Sequence, residues 1–239
     1  MTEVYKSKYL KYKNKYYELK NKIDNLTGGD IKDDYINELK TLYPSCQHDN
    51  GLIKDADKYA KMNQRTTYGE MEYEGIESFS KLFNNDEIKY FIDFGSGNGK
   101  LPLYIATLPN IIKSYGIELV TERHNKAVEL HATLSKYSQF TNKVELINDN
   151  MFTVLENKVF EHPALIWISN LCFDINITTE LFSKLSEKMK SGSIIGCSKK
   201  PLLLPTRIVE LILDGKTYNT LPIEMSWNKS STIYIYKIT

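Results

Sequence analysis

Cysteine is scarce in this chain, with three in 239 residues: Cys46, Cys172 and Cys197. Their spacing fits neither a disulfide framework nor a zinc site. They read as buried, reduced thiols, which favours a reducing intracellular compartment, cytoplasm or nucleus. Histidine is equally sparse, and His48, His124, His131 and His162 are scattered. His124 and His131 stand two turns apart on one expected helix and cannot reach a single metal ion, so no metal site is expected. An excess of one charge is also lacking. Lys and Arg number 31 against 30 Asp and Glu, a formal net charge of +1, so bulk charge does not draw the whole molecule to a polyanion. No apolar run approaches the ~20 residues of a membrane span, and no signal-peptide pattern is visible. No membrane partner is therefore expected. The chain does have 41% hydrophobic residues, enough for a real core. Its length suits one α/β domain with a helical extension.

The most informative stretch is Phe91-Ile92-Asp93-Phe94-Gly95-Ser96-Gly97-Asn98-Gly99-Lys100. The apolar run from Lys89 to Phe94 reads as a buried strand, and it stops at three glycines spaced G-x-G-x-G. A helical pattern follows on Leu101, Leu103, Tyr104, Ile105 and Leu108. Strand, glycine turn and helix open a doubly wound α/β fold that binds nucleotides. Side chains at the glycines would hold the backbone away from a ligand. A second strand, Ile111 to Ile117, ends in Glu118, about 20 residues on, where this fold hydrogen-bonds ribose hydroxyls. Two cofactor classes use such a start. A dinucleotide places pyrophosphate on the helix N-terminus, but here the third glycine comes one residue early, and Asp93 would repel phosphate. A carboxylate there suits a cofactor with a cationic amine and no phosphate, which is S-adenosylmethionine. The alternative reading of Asp93 is a turn or cap residue.

Further strands are expected at Val144–Ile147, Leu165–Ser169, Ser193–Cys197, Arg207–Leu213 and Thr232–Ile238. The last is expected to follow a short Asn228-Lys229-Ser230 connection as half of an antiparallel pair. Asn148-Asp149-Asn150-Met151 closes the third strand. A polar residue there accepts from an adenine amine while Met151 or Phe152 packs on the ring, and Asp149 and Asn150 are both candidates. Leu165–Ser169 delivers Asn170 to the carboxyl edge, where open α/β sheets bind ligands.

The chain divides into a leader over 1–29, a helical lid segment over 30–80 and a cofactor-binding domain over 81–239. Lys6, Lys8, Lys11, Lys13, Lys15, Lys20 and Lys22 alternate with Tyr5, Tyr9, Tyr12, Tyr16 and Leu19 at steps of three and four. That spacing predicts an amphipathic helix, ended by Thr27-Gly28-Gly29. Either its tyrosines pack on the domain or on a second copy, or its lysines hold nucleic acid. Ile31–Tyr43 has helical periodicity and stops before Pro44. Lys54–Met62 reads as another helix. The loop Arg65 to Glu70 then closes over the cofactor, with Glu70 accepting from its amine or serving as the first acid of the next helix.

Five segments together resemble a class I S-adenosylmethionine-dependent methyltransferase, of the Dot-one-like (disruptor of telomeric silencing) histone lysine methyltransferase family. They are Tyr68-Gly69-Glu70-Met71; Phe91 to Lys100; Tyr115-Gly116-Ile117-Glu118; Ile168-Ser169-Asn170-Leu171-Cys172-Phe173; and Ser198-Lys199-Lys200-Pro201 with Ser226-Trp227 and the Tyr234/Tyr236 strand. The resemblance spans about Met62 to Ile238 in family order, and the Lys/Tyr leader resembles those of giant DNA virus proteins. It implies a seven-stranded Rossmann-like sheet. It also implies a cofactor site of Tyr68, Gly69, Glu70, Met71, Asp93, Gly95, Ser96, Gly97, Gly99 and Glu118 with Asp149, Asn150 and Met151. Two departures stand out. Ser169 replaces the first of the family's two asparagines, and no long basic tail is present.

The chemistry implied is methyl transfer to a protein lysine, in a histone or histone-like partner. A lysine with an ordinary pKa of about 10.4 must lose its proton before attack. An apolar channel promotes that loss by desolvation. Asn170 and Phe173 border the methyl-transfer site by resemblance, Asn170 to position cofactor and amine, Phe173 as channel wall. Rival readings on the same fold are an RNA or small-molecule methyltransferase and a noncatalytic cofactor-binding module.

Overall fold

Strand β1, Tyr90–Phe94, is buried along its whole length, as expected of a parallel strand covered on both faces. Side chains alternate between those faces. Phe91 joins the core beneath the N-terminal helices, and Tyr90, Ile92 and Phe94 join the core on the other side. A computed structural model of the chain describes residues 31–44, 69–82, 86–213, 216–218 and 220–239. The expected leader helix, the expected helix at Lys54–Met62, Cys46, His48 and Tyr68 lie outside the described residues.

Parallel neighbours flank β1: β2 (Lys113–Glu118), β3 (Val144–Asn148), β4 (Ala164–Ile168) and β5 (Ile194–Cys197). Beyond them come β6 (Ile208–Leu213), β7 (Lys216–Tyr218), β8 (Thr220–Met225) and β9 (Asn228–Ile238). The sheet runs β3-β2-β1-β4-β5-β9-β6-β7, with β8 paired to β9. The order reverses beside β1, so the carboxyl ends of β1 and β4 flank the crevice where such sheets bind ligands. Strand β9 enters antiparallel between β5 and β6.

The fold class is as expected, but the strand count is not. Nine strands stand among the described residues, not seven. Two extra strands, β7 and β8, lie between Leu213 and Asn228, where no strand was expected. Asn228-Lys229-Ser230 begins β9 and is no linker. The reason is local: β8 contains Pro222 and buries only Ile223 and Met225 of its six residues, which hides an edge strand from a hydrophobic-run reading.

The described helices are α1 (31–42), α2 (Tyr73–Leu82), α3 (Lys100–Ile105), α4 (Thr121–Thr133), α5 (Ser138–Thr141), α6 (Met151–Asn157) and α7 (Ile175–Lys188). Helix α1 lays Tyr35, Ile36 and Leu39 into the same core as Phe79 of α2 and Trp167 of β4. Helices α6 and α7 cover the opposite face with Leu155, Leu181, Phe182 and Leu185. Asp174 caps α7, accepting from the Asn176 N–H at 2.8 Å. Asn176 and Thr178 lie inside the helix.

Candidate active site

The turn after β1 is built on positive φ angles, 92° at Gly95 and 81° at Gly99. A Cβ at Gly95 would meet nothing within 4 Å, so the loop has an open floor there. One at Gly99 would lie 2.8 Å from the Ala127 Cβ on α4. The first glycine thus leaves room, and the third brings α4 in close. The loop is stitched to β2, where the Gly95 and Ser96 N–H groups donate to the Ile117 carbonyl at 2.8 and 3.0 Å.

Glu118, at the end of β2, is buried and held rigidly. Its carboxylate accepts from the Gly97 N–H and the Val120 N–H, each at 2.8 Å. Asn148 braces this strand end. Its amide donates to the Glu118 carbonyl at 2.9 Å and the Leu119 carbonyl at 3.2 Å, and its oxygen accepts from the Thr121 hydroxyl at 2.9 Å.

Asp93 is 3% exposed, and its Oδ1 has no hydrogen-bond partner among the described residues. Burial, then the negative charges of Glu118 and Glu70, push its carboxyl well above the usual range. A buried charge without a partner is costly, so the site favours either a proton on Asp93 or a cation against it.

Glu70 completes the acidic cluster. Its Oε1 accepts from the Tyr43 hydroxyl at 2.9 Å, and its Oε2 lies 2.9 Å from the Lys100 ammonium. Burial raises the Glu70 carboxyl despite the opposing pull of Lys100. Lys100 also lies 3.8 Å from Glu72 and sits over the Tyr73 ring at 5.2 Å. The turn between β8 and β9 clasps this loop from the far end of the chain. The Glu70 N–H donates to the Ser226 hydroxyl at 3.0 Å, and the Ser226 N–H donates to the Glu70 carbonyl at 2.8 Å. Trp227 covers Gly69 so closely that a Cβ there would fall 2.5 Å from the indole.

These elements enclose a cavity of about 30 Å³, lined by Gly69, Glu70, Met71, Asp93, Gly95 and Ser96 together with Lys100, Leu101, Trp167 and Ser169. That volume suits one small polar group such as an ammonium. Six of the residues expected from sequence therefore converge. Met71 is among them but is mostly core, bridging to Met225.

The remaining candidates are placed differently. Asn150 is the N-cap of α6, accepting from the Phe152 N–H at 2.9 Å. Asp149 is exposed at the end of β3, and one of its oxygens accepts from the Asn150 N–H at 2.6 Å. Of the two adenine candidates, Asp149 is the one whose side chain is not committed to a cap. Asn170 is fully buried, and its carboxamide is engaged with the Lys199 backbone. Phe173 is half-buried against the core of the α6–α7 face, whereas Asp93 points to the face shared by Phe91. Lys100, Tyr43, Asn98 and Asn148 escaped notice as site residues. A lysine directly after the glycine motif, at a position facing the core, was the one available signal. Among the described residues, no cluster of His, Cys, Asp and Glu could hold a metal.

Five parallel strands whose order reverses beside β1, an antiparallel β9 and a glycine loop facing a strand-end acid together define a Rossmann-like methyltransferase fold. The solved structures agree. The putative methyltransferase yhhF of Escherichia coli superposes with a TM-score of 0.53 at 13% identity, over 69% of this chain and 84% of that one. The O-methyltransferase TomG of Streptomyces achromogenes, solved in complex with SAM, also gives 0.53, at 11% identity, over 81% and 91%. Sequence narrows the class. The family described as "Histone methylation protein DOT1" matches residues 52–237, and this chain belongs to it. A relative in Caenorhabditis elegans is the "Histone-lysine N-methyltransferase, H3 lysine-79 specific". It is 26% identical over 188 residues, which is 74% of this chain but only 20% of the relative. The chain thus spans about a fifth of that protein's length.

Proposed function

We propose that this chain is an S-adenosylmethionine-dependent methyltransferase acting on a protein lysine, in a histone or histone-like substrate. The observation that carries the cofactor is Asp93, a buried carboxylate with an orphaned oxygen, beside Glu70 in a cavity of ammonium size. That acidic, phosphate-repelling pocket fits the amino-acid end of S-adenosylmethionine. Asp93 takes the amine, the open floor at Gly95 accommodates the cofactor, and Glu118 accepts ribose hydroxyls. Asp149 accepts from the adenine amine, with Met151 and Phe152 nearby. The bound cofactor supplies a methyl group already activated on a sulfonium.

The protein's own task is alignment and exclusion of water. Reacting atoms must be held about 3 Å apart and in line. The acceptor amine must also shed its proton, which an apolar wall promotes by desolvation. Trp227 offers such a wall, as it is 42% exposed and lies over Gly69 at the rim of the cavity. An aliphatic lysine stem suits contact with an indole while its amine points onward. Family membership and the C. elegans relative support a protein lysine as acceptor.

The test is methyl transfer from labelled cofactor to core histones, other basic proteins, RNA and small amines, followed by mass spectrometry of labelled proteins. Mono-, di- or trimethyl-lysine is the expected product. Label in RNA or small amines alone would overturn the lysine assignment, and no cofactor binding would overturn the whole reading. Nucleic-acid contact through the Lys/Tyr leader is a separate part of the proposal. It predicts a salt-dependent fall in RNA or DNA affinity when Met1–Thr27 are deleted.

A further inference from the structure

Tyr43 lies outside every motif used so far, just beyond the C-terminal end of α1. Its side chain is buried, and its hydroxyl works in two directions. It donates to Glu70 Oε1 at 2.9 Å and accepts from Asn98 Nδ2 at 2.8 Å. Asn98 belongs to the glycine loop, between Gly97 and Gly99. Glu70 belongs to the loop that precedes α2. One hydroxyl therefore joins the two loops that build the cavity. Lys100 adds a further arm, with its ammonium 2.9 Å from the other Glu70 oxygen and 5.7 Å from the Tyr43 ring centroid. The Tyr43 backbone is fixed as well. Its carbonyl accepts from the Tyr73 hydroxyl at 2.8 Å, and its N–H donates to the Leu39 carbonyl at 2.9 Å.

A hydroxyl in this place has two readings. It could merely fasten α1 to the domain, or it could set the geometry of the site. The first task is already done elsewhere. Tyr35, fully buried, donates to the Leu103 carbonyl at 3.1 Å and packs edge-on against Tyr137 at 5.4 Å. Tyr137 in turn donates to Glu38 at 2.8 Å. Helix α1 is thus anchored along its length without the Tyr43 hydroxyl. That hydroxyl fixes instead the position of Glu70 relative to the glycine loop. With Tyr43 on one carboxylate oxygen and Lys100 on the other, the carboxylate is held at both oxygens.

We propose that Tyr43 is a positioning residue of the cofactor site, and that its hydroxyl makes helix α1 part of that site by setting the spacing between Glu70 and the glycine loop. The inference rests on the reading of Asp93 and Glu70 as the subsite for the cofactor amine. Tyr43 touches neither cofactor nor acceptor in this account. It acts through Glu70 and Asn98.

Tyr43→Phe keeps the ring and removes only the bridging oxygen. Full-length wild type and variant are compared by calorimetry with S-adenosylmethionine, by thermal unfolding, and by kinetics on whichever acceptor takes the methyl group. The expected result is a cofactor Kd and KM raised about tenfold, with kcat at saturating cofactor nearly unchanged. Glu70→Gln keeps an acceptor for Tyr43 but loses the charge pair with Lys100. In a double-mutant cycle, Tyr43→Phe and Glu70→Gln should be clearly non-additive in cofactor affinity. Wild-type affinity in Tyr43→Phe overturns the proposal, whether or not the melting temperature falls. So does a loss of kcat with an unchanged cofactor KM, and so do additive effects in the cycle. Failure of the wild-type chain to bind the cofactor overturns the cofactor reading and this inference with it, whereas wild-type binding matched by Tyr43→Phe overturns this inference alone.

Discussion

The Asn170 side chain grips the Lys199 backbone at two points. Its amide nitrogen donates to the Lys199 carbonyl at 2.9 Å, and its oxygen accepts from the Lys199 N–H at 2.8 Å. The clamp ties the end of β4 to the end of β5, so the segment that borders the cavity at Ser169 is fixed from behind. Asn170→Ala removes both bonds and leaves two backbone groups to find other partners. We expect a loss of about 2–3 kcal/mol in stability. We also expect turnover to fall more than cofactor affinity, because misalignment is felt most in the transition state. Urea unfolding and steady-state kinetics check both. An unchanged kcat would confine Asn170 to a structural role.

Asp93 predicts a specific pH dependence. Its folded-state carboxyl sits well above the unfolded value, for which about 3.9 is typical. Above that unfolded value the native state keeps a proton that the unfolded chain has lost. Stability from this group is therefore greatest at low pH and falls as pH rises towards the folded value. Asp93→Asn should flatten that fall in a pH series of urea midpoints. A cationic amine favours the ionised carboxylate, so cofactor binding should release a proton. The calorimetric enthalpy should then depend on the ionisation heat of the buffer, and that dependence should vanish in Asp93→Asn.

The two ends of the glycine turn should respond differently to one methyl group. Gly95→Ala meets no neighbour within 4 Å but must hold φ at 92°. A strain of about 1–2 kcal/mol is expected there, with the new methyl standing on the floor of the cofactor site. Binding should suffer beyond the loss of stability. Gly99→Ala carries similar strain at φ 81° and drives its methyl to 2.8 Å from the Ala127 Cβ. It should lower the melting temperature more than Gly95→Ala does. Paired measurements of melting temperature and Kd separate the two, and equal effects on both would refute the distinction.

What the sequence made legible follows from range. Strand β1, the glycine turn and Glu118 lie within one short span, and each carries a local signature: an apolar run, three glycines, an acid at a strand end. The acids proposed for the amine subsite were legible as candidates too, because a carboxylate beside a glycine turn repels phosphate. The polar network behind them was not. Tyr43 meets Glu70 across 27 residues and Asn98 across 55, and nothing in a tyrosine at a helix end signals such partners. Asn150 is ambiguous for the opposite reason. The same residue type serves an adenine contact or an N-cap, and its side chain here caps the helix that starts at Met151. Strand β8 was hidden by Pro222, although its turn brings Ser226 and Trp227 onto the Gly69–Glu70 loop.

The acceptor channel offers the last prediction. Two aromatic residues compete for the role of its wall. Phe173 is half-buried against the α6–α7 core. Trp227 is 42% exposed and covers Gly69, next to the Glu70 loop that lines the cavity. On the proposed reading, the wall lies on the side of the sheet that holds Asp93, because the amine subsite proposed there fixes one end of the cofactor. Asp93 shares that side with Phe91 and its register partner Trp167, so Trp227 is the better placed. Trp227→Ala should raise the acceptor KM and move the rising limb of the pH–rate profile upwards, since a wetter channel leaves the lysine protonated near its ordinary pKa of about 10.4. Cofactor affinity should change less than acceptor KM. Phe173→Ala should cost stability with a smaller shift of that limb. A larger pH shift in Phe173→Ala than in Trp227→Ala would return the channel to the α6–α7 side.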